Sequence, residues 1–348
     1  MGVVAVLVAG LLLAGRDPAA PARPAAAPAP EPVAAAPTTS PPAALITLAF
    51  AGDVHFAGRV RSRLDDTATT FGEAATALRA ADLTMVNLET AITERGAEEP
   101  KTFTFRAPAT AFSALRAAGV DVATMANNHA ADFGPAGLAD TLAATGRFPV
   151  VGIGATARQA YAPYYATVRG HRVALLAASQ IRDHTLAAFS ATDTGAGIAS
   201  AYDDRLVAAV RAARGRAEVV IVYLHWGVEG QGCPSGEQRA LAARLAGAGA
   251  DAVIGTHAHQ LQGAGYLGRT FVAYGLGNYL WWRNAAYSDD TGVLRLTLRG
   301  RQVVRSALAP ARIDGRGVPV PATGATAERI ARKWAGLVGC TGLTTEPG

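Results

Sequence analysis

Lysine is almost absent from this chain: of its 32 basic residues only Lys101 and Lys333 are lysine, and the net charge of +5 is spread along the whole length. No Lys/Arg block occurs, which argues against a nucleic-acid footprint. Cysteine is equally scarce, with Cys233 and Cys340 alone, and so few exclude a fold built on disulfides. In an exported protein such a pair can close one bridge, and otherwise it is two separate thiols. The bridge is the expectation here. Missing too is any apolar run of the roughly 20 residues that a bilayer-crossing helix needs. The opening stretch, "MGVVAVLVAGLLLAG" over residues 1–15, is shorter than that and has no charged leader. It reads as the apolar part of a secretion signal or a short signal anchor, the alternative being a core helix. No internal repeat is evident.

What is present is a chain of 348 residues, 50 % hydrophobic and 17 % charged, enough to bury a sizeable core. Residues 16–45 are almost wholly Ala and Pro, a semi-rigid spacer with nothing to pack. From residue 46 to about 322, β-branched apolar runs alternate with Ala/Leu stretches of helical spacing, and residues 323–348 read as a C-terminal helix and tail. The runs "ITLAFAG", "DLTMVNL", "VDVATMA", "PVVGIG", "VALLAAS", "VVIVYLH", "DAVIGT" and "TFVAYGL" predict strands. "ATAFSALRAAG", "GLADTLAATG" and "SGEQRALAARLAGAG" predict helices that stop at glycine. Regular alternation implies an α/β fold around a largely parallel sheet with helices outside it. "TGVLRLTLRGRQVVRSALAPARI" predicts a closing antiparallel hairpin that turns at "RGR".

In open α/β sheets ligands bind beyond the carboxyl ends of the strands. The residues that follow the runs are Asp53 and His55, Glu89, Asn127 to His129, His225, and the pair His257 and His259. Singly, each has an ordinary reading as a cap or a hydrogen-bonded histidine. Together, imidazoles, carboxylates and an amide are the ligand set of a borderline divalent metal such as Zn, Mn, Fe or Co. In an extended segment the one-residue spacing of "HAH" and "DVH" would turn both side chains to one face. Asp53, His55, Glu89, Asn128, His225, His257 and His259 exceed what one ion takes, so the expectation is a two-metal centre.

The quoted residues resemble the calcineurin-like metallophosphoesterases. More closely, "AGDVHFAG", "VNLETAIT", "MANNHAADFGPAGLADTLAATG", "VIVYLHWGVEG", "PSGEQRALAARLAGAGADAVIGTHAHQLQG" and "VAYGLGNYLW" resemble bacterial capsule-synthesis, poly-γ-glutamate CapA-type proteins across roughly residues 46–281. That resemblance implies a four-layer αββα sandwich. It also implies one metal on Asp53, His55 and His259, another on Asn128, His225 and His257, Glu89 between them, and His129 beside the leaving group. The chain departs from the wider pattern in having "NLE" for Gly-Asp and "NNH" for Gly-Asn-His.

Together with the apolar opening stretch and the spacer, the resemblance implies an exported or membrane-tethered protein of envelope polymer metabolism. It would be a dinuclear-metal hydrolase of a phosphoester or γ-glutamyl bond, acting on an anionic envelope polymer or a small phosphoester. The alternative is a non-catalytic envelope component that binds such a polymer or helps export it. Other signals are weaker. Gly152 and Gly154 lack the acidic partner of a dinucleotide site and read as a turn. Tyr279, Trp281 and Trp282 read either as a substrate wall or as packing under a loop. Arg182 reads either as an anion clamp or as a solvated loop residue.

Overall fold

The computed structural model describes residues 44–283 and 285–348, with Gly2. The signal or anchor segment and nearly all of the Ala/Pro spacer therefore lie outside the described residues. Among the described residues no helix is long and apolar enough to cross a membrane.

The first sheet is built from β1 (Leu45–Val54), β2 (Leu83–Leu88), β3 (Val122–Thr124) and β4 (Val150–Val151). The second holds β5 (Tyr164–Val168), β6 (His171–Ser179), β7 (Val219–Trp226), β8 (Ala252–His257), β9 (Ala264–Leu267) and β10 (Thr270–Ala273). The chain then returns to the first sheet with β11 (Asn278–Leu280), β12 (Asp290–Arg299), β13 (Gln302–Ile313) and β14 (Pro319–Pro321). The order is β14-β13-β12-β1-β2-β3-β4, with β11 also beside β1, in one sheet and β9-β10-β8-β7-β6-β5 in the other. β1 to β4 run parallel, as do β6, β7, β8 and β10, while β5, β9, β12 and β13 pair antiparallel to their neighbours. The single sheet implied by the alternation of elements is thus two mixed sheets, in agreement with the four-layer form that the resemblance implies.

Burial on both faces explains the near-continuous apolar runs. Val219, Ile221 and Tyr223 of β7 face Leu48 and Phe50 of β1 in the core between the sheets. The alternate residues Val220, Val222 and Leu224 face outward, against Leu206 and Val210 of α4 (Arg205–Arg214) and Leu241 and Leu245 of α5 (Gly236–Ala248). On the far side of the first sheet, Ala49, Ala51 and Val86 pack on Leu78 of α1 (Ala75–Arg79), Phe112 and Leu115 of α2 (Thr110–Ala117) and Leu138 of α3 (Gly134–Ala144). A capping box of Ser235 and Gln238 starts α5, and Gly249, at φ +105°, ends it. The "RGR" hairpin joins β12 and β13 as expected. Beyond β14, α6 (Gly324–Gly336) returns towards the core through the fully buried Ile330.

The amino ends of the parallel strands carry a repeated latch. Asp82, Asp121 and Asp251 each stand one residue before such a strand. Each donates its N–H to the carbonyl of a residue near the start of the neighbouring strand (Thr47, Thr84 and Val220, at 2.9, 2.9 and 2.8 Å). Each then accepts that same residue's N–H on its carboxylate, at 2.7, 2.8 and 2.8 Å. Cys233 and Cys340 form a disulfide with Cα atoms 5.7 Å apart, closing 107 residues of chain.

Candidate metal centre

The carboxyl ends of the parallel strands from both sheets meet at one place. The close passage of β1 under residues 276 and 277 sets the first donor, since a Cβ on Gly52 would lie 1.8 Å from the Gly277 carbonyl oxygen. The pairing of β1 with β2 shifts at this point, and Asp53 falls opposite Asn278 of β11. The Asp53 carboxylate accepts hydrogen bonds from Asn87 Nδ2 at 2.8 Å and from the His257 N–H at 3.3 Å. Asn87 is itself held by Asn127 Nδ2, 2.9 Å from its side-chain oxygen. A run of amides thus fixes the rotamer of a fully buried acid.

Around Asp53 the donors fall into sets whose ligand atoms lie within 4.8 Å of one another: Glu89, His225 and His257; Asp53, Glu89 and His259; and Glu229, His257 and His259. The first two sets share Glu89. Asn128 joins the first, its Oδ1 2.8 Å from His225 Nε2, and His257 Nδ1 lies 3.1 Å from the same nitrogen. His259 Nδ1 stands 3.3 Å from Asp53 Oδ2 and 2.9 Å from Asn278 Oδ1.

His257 and His259 reach the site by a different route from the extended segment expected of "HAH". His257 ends β8 at φ +88° and His259 follows at φ +56°. Left-handed backbone at non-glycine residues costs of order 1–3 kcal/mol and gathers at functional sites.

Seven of the eight residues singled out as site residues meet here, and His55 stands beside them outside the donor sets. Its ring stacks on Phe105 at 4.3 Å between centroids and meets Trp281 edge-on at 4.4 Å. Its Nδ1 and Nε2 face the N–H groups of Ala57 and Trp282 at 3.0 and 3.2 Å. Asp53 and His55 therefore point to different neighbours despite their spacing, because β1 ends at Val54 and the pleat no longer governs the next residue. Of the aromatic residues read as a wall, Trp281 lies 4.5 Å from the His259 ring, whereas Tyr279 is buried elsewhere with its hydroxyl on the Ala74 carbonyl.

His129 lies at the mouth of the centre, Nε2 3.8 Å from Glu89. Its Nδ1 is 2.5 Å from Asp132, whose carboxylate also takes the Phe105 N–H at 2.7 Å and Lys101 Nζ at 2.6 Å. Lys101 reaches Thr185 Oγ1 at 3.1 Å and the Asn128 carbonyl as well. Asp132, Lys101, Asn87 and Glu229 were not singled out from the sequence. For Asp132 a signal exists in "NNHAAD", three residues after His129, and for Lys101 in the scarcity of lysine.

Charge at the site is unbalanced. Glu89 is fully buried, and among the described residues nothing hydrogen-bonds either of its side-chain oxygens. Burial, reinforced by Asp53, holds its carboxyl well above the usual range. Burial likewise pushes His225 and His257 well below the usual histidine range, and their proximity to other histidines adds to it. Neutral imidazoles offer the lone pair a metal needs, and an orphaned buried carboxylate calls for a cation. The donors present fit a divalent metal.

Residues 47–281 match the family described as "Bacterial capsule synthesis protein PGA_cap". The capsule biosynthesis protein CapA of Bacillus anthracis is 32 % identical over 218 residues, which is 61 % of this chain and 52 % of that protein. The PGA biosynthesis protein CapA of Bacillus subtilis (strain 168) is 29 % identical over 203 residues, 58 % of this chain and 52 % of that one. The chain spans about half the length of these curated relatives. Among solved structures, one described as a novel phosphatase from Mycoplasma pneumoniae is similar with a TM-score of 0.48 at 14 % identity, over 79 % of this chain and 96 % of that one. The matched stretch contains every donor from Asp53 to His259, and the chain belongs to the bacterial capsule synthesis family, PGA_cap.

Proposed function

We propose that this chain is a CapA-type accessory to the synthesis of an anionic envelope polymer, and that it acts as a metal-dependent hydrolase on a phosphoester or γ-glutamyl bond. The observation that carries the reading is Glu89, buried, unpartnered and common to two donor sets. Asp53, Glu89 and His259 would hold one divalent transition-metal ion, and Glu89, Asn128, His225 and His257 the other. Bound there, the ions would supply Lewis acidity toward a phosphoryl or carbonyl group.

The chain's own residues supply the rest. Asp132 accepts from His129 Nδ1 and so directs Nε2 towards the centre, where it can hold a proton for a departing oxygen or nitrogen. Lys101 and the Phe105 N–H hold the Asp132 carboxyl in place. This supported histidine favours turnover over polymer binding alone, which has no use for a proton donor. The opening apolar stretch and the disulfide support export with a tether or cleavage, and cell fractionation tests that part.

The experiment is elemental analysis of the purified protein, followed by assay on a generic phosphodiester and a γ-glutamyl peptide. About two ions per chain and turnover of one of the two is the expected result. His129→Ala should keep its metal and lose roughly 10²- to 10⁴-fold in turnover. Metal that stays far below one ion per chain after reconstitution with Mn, Zn and Fe overturns the reading.

A further inference from the structure

Two arginines flank the centre, and they differ in how their charge is met. Arg182 lies over the Tyr202 ring, 4.2 Å from its centroid, beside a cavity of about 500 Å³ that His257 helps to line. Its guanidinium is already taken, since Glu237 Oε1 sits 2.9 Å from Nη1. Arg283 is on the side of His55 and His129. Its guanidinium carbon lies 4.2 Å from the Phe103 ring and 4.4 Å from the Trp282 ring, and among the described residues no carboxylate pairs with it. These rings continue the aromatic layer of the centre: Trp282 is 5.7 Å from Phe105, which stacks on His129 at 4.2 Å.

Stacking on two rings restricts the guanidinium while leaving its in-plane N–H donors free, the arrangement that suits a planar oxyanion held by two parallel hydrogen bonds. Resting on the reading of the site as one that handles an anionic polymer, we propose that Arg283, Phe103 and Trp282 form a docking subsite for a carboxylate carried by the substrate beyond the group placed at the metal donors. The rings select the kind of chain. Phe103, at 39 % exposure, and the half-buried Trp282 offer apolar faces to methylene and amide segments between charges. A polyol phosphate chain has no amide between its charges, and its carbons are hydroxylated or bonded to phosphate oxygen. The ligand is therefore a chain of repeated carboxylates separated by short methylene and amide segments, read at two points, and a fragment too short to span both points loses the contact.

The test is equilibrium binding of a fluorescent γ-linked glutamate decamer and the matching dimer to the full chain, with metal content measured on each sample. Arg283→Ala should weaken the decamer by about tenfold or more, as expected for a lost charged hydrogen-bonded pair. It should also flatten the salt dependence of binding and leave the dimer and the metal content unchanged. Arg283→Lys should recover only part of the loss, because the planar fork is gone. Arg182→Ala should stay within about twofold of the wild type, its charge being already neutralised.

Decamer affinity that ignores Arg283→Ala, an equal loss in Arg182→Ala, equal competition by a glycerol-phosphate oligomer, or no decamer binding by the wild type each overturns the subsite. Its failure is separable from that of the hydrolase reading. Arg283-dependent binding in a protein that takes up no metal sustains the subsite and removes the hydrolase; full metal content with Arg283-independent binding does the reverse.

Discussion

The two ends of the parallel strands treat buried acids in opposite ways. At the amino ends Asp251 is almost fully buried, yet it receives the Val220 N–H, Arg214 Nη1 at 2.5 Å and Arg301 Nε at 3.1 Å. At the carboxyl ends Glu89 is as deeply buried and receives nothing. An acid surrounded by its own donors is finished as a structural part, whereas one left without them is stable as an anion only when something else arrives. What sets Glu89 apart is therefore its missing hydrogen bonds and not its burial, since Asp53 at the same centre is as deeply buried and keeps two of its own.

The sharpest way to break this contrast is to remove the unfinished acid. Glu89→Gln should take metal content from about two ions per chain to below one while leaving the metal-free protein at least as resistant to urea, since a neutral amide is easier to bury than a carboxylate. A large loss of urea resistance would show that Glu89 holds the fold. The opposite change comes next. Asp251→Ala leaves two arginines without their partner and should cost about 3–5 kcal/mol in urea unfolding, with metal per folded chain unchanged.

Reduction of the Cys233–Cys340 bridge, or the double Cys→Ser variant, should cost roughly 2–4 kcal/mol through the long loop it closes, again without loss of metal. Two thiols titrated in the denatured, unreduced protein would contradict the bridge itself. The smallest effect is at Asp82. Burial opposes its ionisation, but hydrogen bonds from Arg169 and Thr47 outweigh it and hold the carboxyl below the usual range. Its contribution is therefore present above the unfolded value near 3.9 and fades as pH falls through the lower folded value. Asp82→Asn should cost about 1 kcal/mol at neutral pH, and the difference from wild type should shrink on acidification below about pH 4.

The two ends were not equally legible in the sequence. Strands buried on both faces announce themselves as apolar runs, so the eight expected runs all contribute strands. Edge strands such as β5, whose "YYATV" is half exposed, carry no such pattern and were missed. Periodicity records that a strand is covered on both faces but not what covers it, so a second sheet looks the same as more helices. At the centre, residue types standing at strand ends could be read directly. Their supports could not: the approach of Lys101 to Asp132 depends on how two loops pack, and the aromatic grip on His55 depends on Trp281, more than two hundred residues away. The left-handed backbone at His257 and His259 had no signal in a segment whose spacing suggested simple extension.

The latches of Asp82, Asp121 and Asp251 bear on the order of assembly. Because they align the strands from the end remote from the donors, the chain has no need of an ion to find its register. The empty-handed protein would be a finished vessel, and filling it a separate event with its own place and time. On the proposed export route, a chain that folds only after crossing the membrane would draw its ions from the pool outside, and the metal it took up would reflect what that compartment supplies as much as what the donors prefer.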